Sequence, residues 1–439
     1  MSSDLEITVY FATNRAHEGP ERFSPLRYGA RFSSDGMENL RFGRVSFKAD
    51  ATEVNALLAK DRAHTGPGDG EALQDYFSRC ATATQSINAY EESIPNTALN
   101  ETAQKKVLLG SKAMFADLQA DMQQGRDMLV LIHGYNVTWE EAVGTAAALE
   151  ATLNRPDPAP RDGAAQVVAS TQAVRVVLFT WPSNGQALPF VSYKSDRGDA
   201  AASAGAVGRG LLKVRDFLHE LGREVRAGNR QVVTLRTQLE EQGVRPSEID
   251  RAVAQLEATE VCGQQIHLLA HSMGNFVLQN ALNRLWEFSP GTSLPRLFDR
   301  VFLCAADVDD NVLEAGQPME QVHQVANLVA VYHNANDNAL RVSDYTKANP
   351  DRLGQRGAAR PQTLHQKMMQ IDCSALVSGL TQHSYYTNGR IARDIRLALQ
   401  GLAPDAPARG LVRLAGAPNM WRMAGASLLD PAAAVNPAA

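Results

Sequence analysis

Ser272 lies in Ala270-His-Ser-Met-Gly274, a run whose residue types and setting could do acyl chemistry. The apolar run Gln265–Ala270 precedes it and the helix-prone run Asn275–Trp286 follows, so the serine falls on a strand-to-helix turn. Such a turn is strained, and small residues two positions before and after the serine keep neighbouring backbones apart. Ala270 and Gly274 meet that need, with Ala270 where a glycine would be usual. A serine hydroxyl is a poor nucleophile until a base accepts its proton. A helix starting beside it points free N–H groups at the place where negative charge would form.

Negative charge on a reacting carbonyl oxygen needs two donors. His133-Gly134-Tyr135-Asn136 directly follows the apolar run Met128–Ile132. A turn in that position donates one backbone N–H, and the residue after the serine donates the other. The oxyanion donors are thus expected at Tyr135 and Met273, with His133 as a packing residue that fixes the turn. Losing one such donor typically lowers the rate by ~10²–10³.

The base and its acid should follow the serine in the order acid, then histidine. Two acids qualify. Asp307 ends the run Val301–Ala305, and Asp337 follows Leu328–Tyr332. Strand order favours Asp337, with Asp307 and Asp309 then lining the pocket or bonding to loops; the choice between Asp337 and Asp307 stays open at this point. His383, in TQHSYYTNG, is the expected base. His323 and His333 precede Asp337, His365 lies in a helix-prone stretch, and His267 sits inside the strand before the serine. Trp181 follows the run Arg175–Thr180. It either walls the acyl or alcohol pocket or packs to close the turn Pro182-Ser-Asn-Gly185.

Several elements must position these residues. Short apolar, β-branched runs at Glu6–Phe11 and Phe42–Phe47, and those named above, alternate with helical patterns. The later runs are apolar on successive residues, as in strands buried on both faces. The expected architecture is α/β, a mainly parallel sheet with helices on both faces. Thr138-Trp-Glu-Glu141 reads as a capping box opening a helix to about Thr152. A second helix is expected over Asp199 to about Leu221, and a third over Asn275–Trp286. Residues 1–402 are expected to form one domain, with helical insertions at about 50–126 and 227–261 and an Ala/Pro-rich tail, at most partly ordered, over 403–439.

Composition narrows the class. The 439 residues are 44% hydrophobic and 21% charged, an ordinary globular balance. A formal net charge of −5 supplies no basic field for nucleic acid. No apolar run reaches the ~18 residues a membrane span requires, so stable membrane insertion is not expected. The start MSSDLEITVYFATNRA lacks a basic region followed by an apolar stretch, and a cytoplasmic location is expected. The four cysteines are widely spaced and in no zinc-ligand pattern. Neither a metal nor an organic cofactor is expected.

The landmarks FATNRA (11–16), LIHGYNVT (131–138), FTWPSNG (179–185), LLAHSMGN (268–275), AADVDDNVL (305–313), NDNALRVS (336–343), RLG (352–354), IDCS (371–374) and HSYY (383–386) occur in order. With them the chain resembles a bacterial branch of the α/β-hydrolase superfamily of unknown function, over about residues 7–398. The resemblance implies an α/β-hydrolase fold and a serine esterase-like activity, and by position it supports Ser272, Asp337 and His383. The expected function is hydrolysis of a small-molecule carboxylic ester through an acyl-enzyme on Ser272. Amide or thioester cleavage and acyl transfer would use the same groups. A non-catalytic binding protein of this fold would be expected to have lost one of them.

Overall fold

The structure is a computed structural model that describes residues 4–62, 66–92, 109–155, 173–183, 189–228, 230–250, 252, 264–288, 294–340, 351–377 and 383–424. Eleven strands form one sheet. In chain order they are β1 (Asp4–Thr13), β2 (Arg41–Asp50), β3 (Ser86–Ala89), β4 (Arg126–Ile132), β5 (Ala173–Thr180) and β6 (Ile266–His271). Then come β7 (Phe298–Cys304), β8 (Ala326–His333), β9 (Met368–Asp372), β10 (Leu411–Arg413) and β11 (Met420–Met423). Their order across the sheet is β10-β11-β9-β8-β7-β6-β4-β5-β1-β2-β3. All neighbours from β11 to β1 run parallel, while β10, β2 and β3 add antiparallel edges.

The alternation of strand side chains divides the interior into two cores. Leu129 and Leu131 of β4 face one core, and Met128 and Ile132 face the other. Helices α1 (Gly70–Thr84), α3 (Trp139–Leu153) and α6 (Gly389–Leu399) cover the first face. Helices α2 (Gly110–Gln123), α4 (Pro189–Gly228) and α5 (Gly274–Phe288) cover the second. In α3, Val143, Leu149 and Leu153 are fully buried, and each such side chain contributes roughly 1.5–3 kcal/mol relative to exposure. The Thr138 hydroxyl accepts from Glu141 N–H and the Glu141 carboxylate accepts from Thr138 N–H, so the capping box expected from the sequence opens α3.

Strand order reverses beside β4. The chain passes from β4 to β5 on one side and later returns to place β6 on the other. Ligand crevices in parallel sheets form at the carboxyl ends of strands where such a reversal occurs. The turn His133–Asn136 and the turn bearing Ser272 both emerge at this edge.

Two boundaries differ from the sequence expectation, and the structure adds detail within the expected tail. The described parts of 50–126 are built into the fold: β3 pairs with β2, and α1 and α2 supply the two cores on opposite faces. A strand of only four residues, Ser86–Ala89, is too short to read by alternation. Residues 411–413 and 420–423 of the expected tail extend the sheet beyond β9, with Trp421 and Met423 buried; 425–439 lie outside the described residues. Helix α4 starts at Pro189, ten residues before Asp199. Its first turns carry Gly198 and polar residues with weak helix propensity, and contacts to the sheet edge described below fix them. Near the second proposed insertion, Leu239, Val244 and Ile249 make a small apolar contact of their own across the turn at Gly243; most of 251–261 lies outside the described residues. No helix among the described residues is long and apolar enough to cross a membrane.

Candidate active site

Ser272 takes a left-handed backbone conformation, φ 52°, between the end of β6 and the start of α5. Few non-glycine residues adopt it, and strain of this kind gathers at functional turns. The surrounding structure holds the turn firmly. Ser272 N–H donates to Cys304 O (3.0 Å), and Ser272 O accepts from Asp307 N–H (3.2 Å). The buried Asn275 amide donates to Ala270 O, Ser272 O and Cys304 O. Gly274 is demanded by close approach: a Cβ there would lie 2.4 Å from Ile132 O and 2.7 Å from His133 O. Gly274→Ala is therefore expected to destabilise the fold by about 1–3 kcal/mol and to depress any Ser272-dependent turnover, because the turn bearing Ser272 can relieve the clash only by moving away from the turn at His133. A urea melt paired with a rate measurement checks both.

Gly134 faces the serine. A Cβ at Gly134 would come within 2.8 Å of Ser272 Cβ and 3.3 Å of its Oγ, so glycine leaves the hydroxyl uncovered. The turn His133–Asn136 is braced from behind. Asn136 has φ 56° and its N–H donates to Asp196, while Val137 N–H donates to Ser183 Oγ, which itself donates to Asp196 at 2.5 Å. His133 is buried, with its Nδ1 2.8 Å from Gly134 O and its Nε2 accepting from Trp181 N–H. Burial, then the Arg15 charge, lowers its pKa to about 3. A neutral, fully bonded imidazole cannot trade protons near neutrality, in keeping with a packing role.

Trp181 is 0% exposed, stacks on His133 with 5.3 Å between ring centroids, and donates its indole N–H to His133 O. The structure thus places Trp181 buried behind the turn His133–Asn136, packed on His133. Residues 184–185 of that motif lie outside the described residues. Arg15, 1% exposed, ties the same region together by donating to Thr180 Oγ1 and Val137 O. This gives Arg15 of the FATNRA landmark a bracing role.

Asp337 and His383 meet. His383 Nδ1 is 2.8 Å from Asp337 Oδ2, and Asp337 Oδ1 accepts from the N–H groups of Ala339 and Leu340. With Nδ1 donating to the carboxylate, Nε2 is left as an acceptor. Burial disfavours the imidazolium, but the Asp337 charge, the hydrogen bond to it and the Asp307 charge outweigh this, so the His383 pKa is raised above its ordinary value. His383 is positioned by two neighbours. His271, the residue before the serine, has Nε2 3.2 Å from His383 O and its ring 4.8 Å from the His383 ring. Tyr385 donates its hydroxyl to Tyr332 O and accepts from Ala305 N–H at the ends of β8 and β7. Burial, then the His383 charge, drives the His271 pKa well below its ordinary value, so His271 stays neutral.

Asp307 is also buried, but it turns to other partners. Its Oδ2 accepts from Tyr193 OH (2.8 Å) and its Oδ1 lies 3.4 Å from Arg352 Nε. Arg352 bridges on to Asp309 at 2.6 Å. Gly354, two residues on, could not carry a Cβ, which would lie 2.2 Å from Ala305 C and Ala306 N. The RLG landmark thus clamps the loop that holds Asp307. Among the described residues no group of three or more His, Cys, Asp or Glu side chains could hold a metal ion.

A parallel sheet with helices on both faces, a strained serine on a strand-to-helix turn and a glycine turn facing it define an α/β hydrolase. Residues 111–219 and 231–393, more than half of the chain, match the family described as alpha/beta hydrolase of unknown function (DUF900), and the chain belongs to that family. No curated protein and no solved structure matched it.

Proposed function

We propose that the protein is a serine hydrolase that cleaves carboxylic esters, with Ser272 as nucleophile, His383 as base and Asp337 as the acid that orients it. The observation that carries this reading is the 2.8 Å contact between Asp337 and His383 Nδ1, at the same sheet edge as a serine held at positive φ. His383 Nε2 takes the Ser272 proton as Oγ attacks the ester carbonyl. The N–H groups of Met273 and Tyr135 receive the oxyanion. His383 returns the proton to the leaving alcohol, an acyl-serine remains, and water attacks it by the same route in reverse. Met273 opens the α5 helix, so its N–H is among those without a partner inside the helix. Hydrolysis of p-nitrophenyl acetate, butyrate and octanoate tests the reading, and the chain-length profile sizes the pocket. Absence of turnover on all three would argue for a different acyl substrate class.

The pH profile follows from His383. A base must be unprotonated to act, so kcat/KM should fall as pH drops through its pKa in the free enzyme. That pKa is raised, which places the midpoint of the acid limb above the usual ~6.5 of histidine. A limb centred well below 6 would assign the titration to another group.

A further inference from the structure

Arg197 has no task in the mechanism above, yet it stands beside the same site. It lies one helical turn after Tyr193 on α4 and is partly buried. Its guanidinium carbon is 3.6 Å from the centroid of the Phe276 ring, and Nη1 is 3.5 Å from the Tyr193 hydroxyl. Each neighbour touches an element of that site. Phe276 is in the first turn of α5 and donates its N–H to Met273 O. Tyr193 packs edge-on against Tyr135 at 5.7 Å and donates to Asp307, whose N–H bonds to Ser272 O.

Among the described residues, no carboxylate lies within ion-pair distance of Arg197; the nearby Asp307 is engaged by Tyr193 and Arg352. A guanidinium taken partly out of water gains from an anionic partner. Stacking on Phe276 occupies its face, Nη1 donates to the Tyr193 hydroxyl, and the guanidinium carries further N–H donors beyond that one. A flat fork of donors matches one carboxylate through two parallel hydrogen bonds. A phosphate, with nearly twice the charge, calls for more than one such group.

We infer that Arg197 is the specificity-determining residue of this site and that the preferred substrate is an ester carrying a free carboxylate away from the scissile bond. This rests on the esterase reading above and names its substrate class. The test compares matched pairs of esters with the wild type, Arg197→Gln and Arg197→Lys. 4-Acetoxybenzoate against methyl 4-acetoxybenzoate places the charge on the alcohol side. Mono-4-nitrophenyl adipate against 4-nitrophenyl hexanoate places it on the acyl side.

Arg197→Gln is expected to lower kcat/KM for the anionic member of at least one pair by about 10–100-fold, mainly through KM, the value of a hydrogen bond to a charged group. The neutral member should change less than about threefold, and Arg197→Lys should retain part of the preference, because it keeps the charge without the fork. Unchanged ratios in both pairs, or equal loss on charged and neutral members, would overturn the proposal. Calorimetric binding of monomethyl adipate to Ser272→Ala, with and without Arg197→Gln, reads the anion site without turnover. If the wild type cleaves neither member of either pair, the esterase reading fails, and the calorimetry still decides Arg197: binding abolished by Arg197→Gln supports it, and binding unaffected refutes it.

Discussion

Ser272→Ala is expected to yield a folded protein whose ester turnover falls by about 10⁴ or more, since a nucleophile acting as one unit with its base takes most of the catalysis with it when removed. Stability should barely move. The hydrogen bonds that hold the elbow run through the Ser272 backbone and the Asn275 amide, and alanine leaves them in place. Alanine also keeps the Cβ, so the contact facing Gly134 survives and the left-handed backbone is no worse tolerated. Rate assays with p-nitrophenyl acetate alongside thermal melts separate the two quantities. A variant with unchanged melting and wild-type turnover would remove Ser272 from the mechanism and move a binding role to the front.

The second large effect distinguishes two buried aspartates by opposite signatures. Asp337→Asn keeps the shape of the side chain but replaces the acceptor of the His383 Nδ1–H by a group that can donate, favouring the wrong tautomer. Loss of kcat on the order of 10⁴ is the usual outcome of that change in such a triad. Any residual activity should have its acid limb displaced to lower pH, because the Asp337 charge and hydrogen bond are what raise the His383 pKa against burial. Asp307→Asn should do the reverse. It leaves kcat within roughly tenfold, since Asp307 bonds to Tyr193 rather than to the imidazole. It strips the fully buried Arg352 of its Asp307 partner, and breaking a buried pair from one side can cost 3–5 kcal/mol. Side-by-side kinetics and denaturant melts check the pair, and a turnover loss confined to Asp307→Asn would reverse the assignment.

Much of this arrangement was legible in the sequence because local patterns and global fold agree. The apolar runs before His133 and Ser272 are buried on both faces, so they read as strands without ambiguity, and Gly134 and Gly274 mark the places where backbones nearly touch. Strand order and the family landmarks point to Asp337, chain order and the elimination of the other histidines point to His383, 46 residues further on, and the structure sets the two in contact. Asp307 and Asp337 could not be separated from residue types, since both follow apolar strands. Only their partners tell them apart, Tyr193 and Arg352 for one and His383 for the other. Trp181 was ambiguous for a similar reason, because burial behind a turn and exposure in a pocket share one sequence pattern. The early start of α4 was hidden by Gly198 and its polar neighbours; the stabilising contacts of Tyr193 and Asp196 are made to residues 114 and 60 positions away. The bracing roles of Arg15 and His271 likewise depend on distant carbonyls, Val137 O and His383 O, that no local pattern reports.

The most direct test of the central claim is covalent trapping. The wild type, incubated with a fluorophosphonate and digested, is examined by peptide mass spectrometry while ester turnover is followed in parallel. The account predicts a single adduct on the peptide containing Ser272, accumulating in step with the loss of turnover and absent from Ser272→Ala. Inactivation with the adduct on another residue, or undiminished turnover from protein fully modified at Ser272, would contradict it.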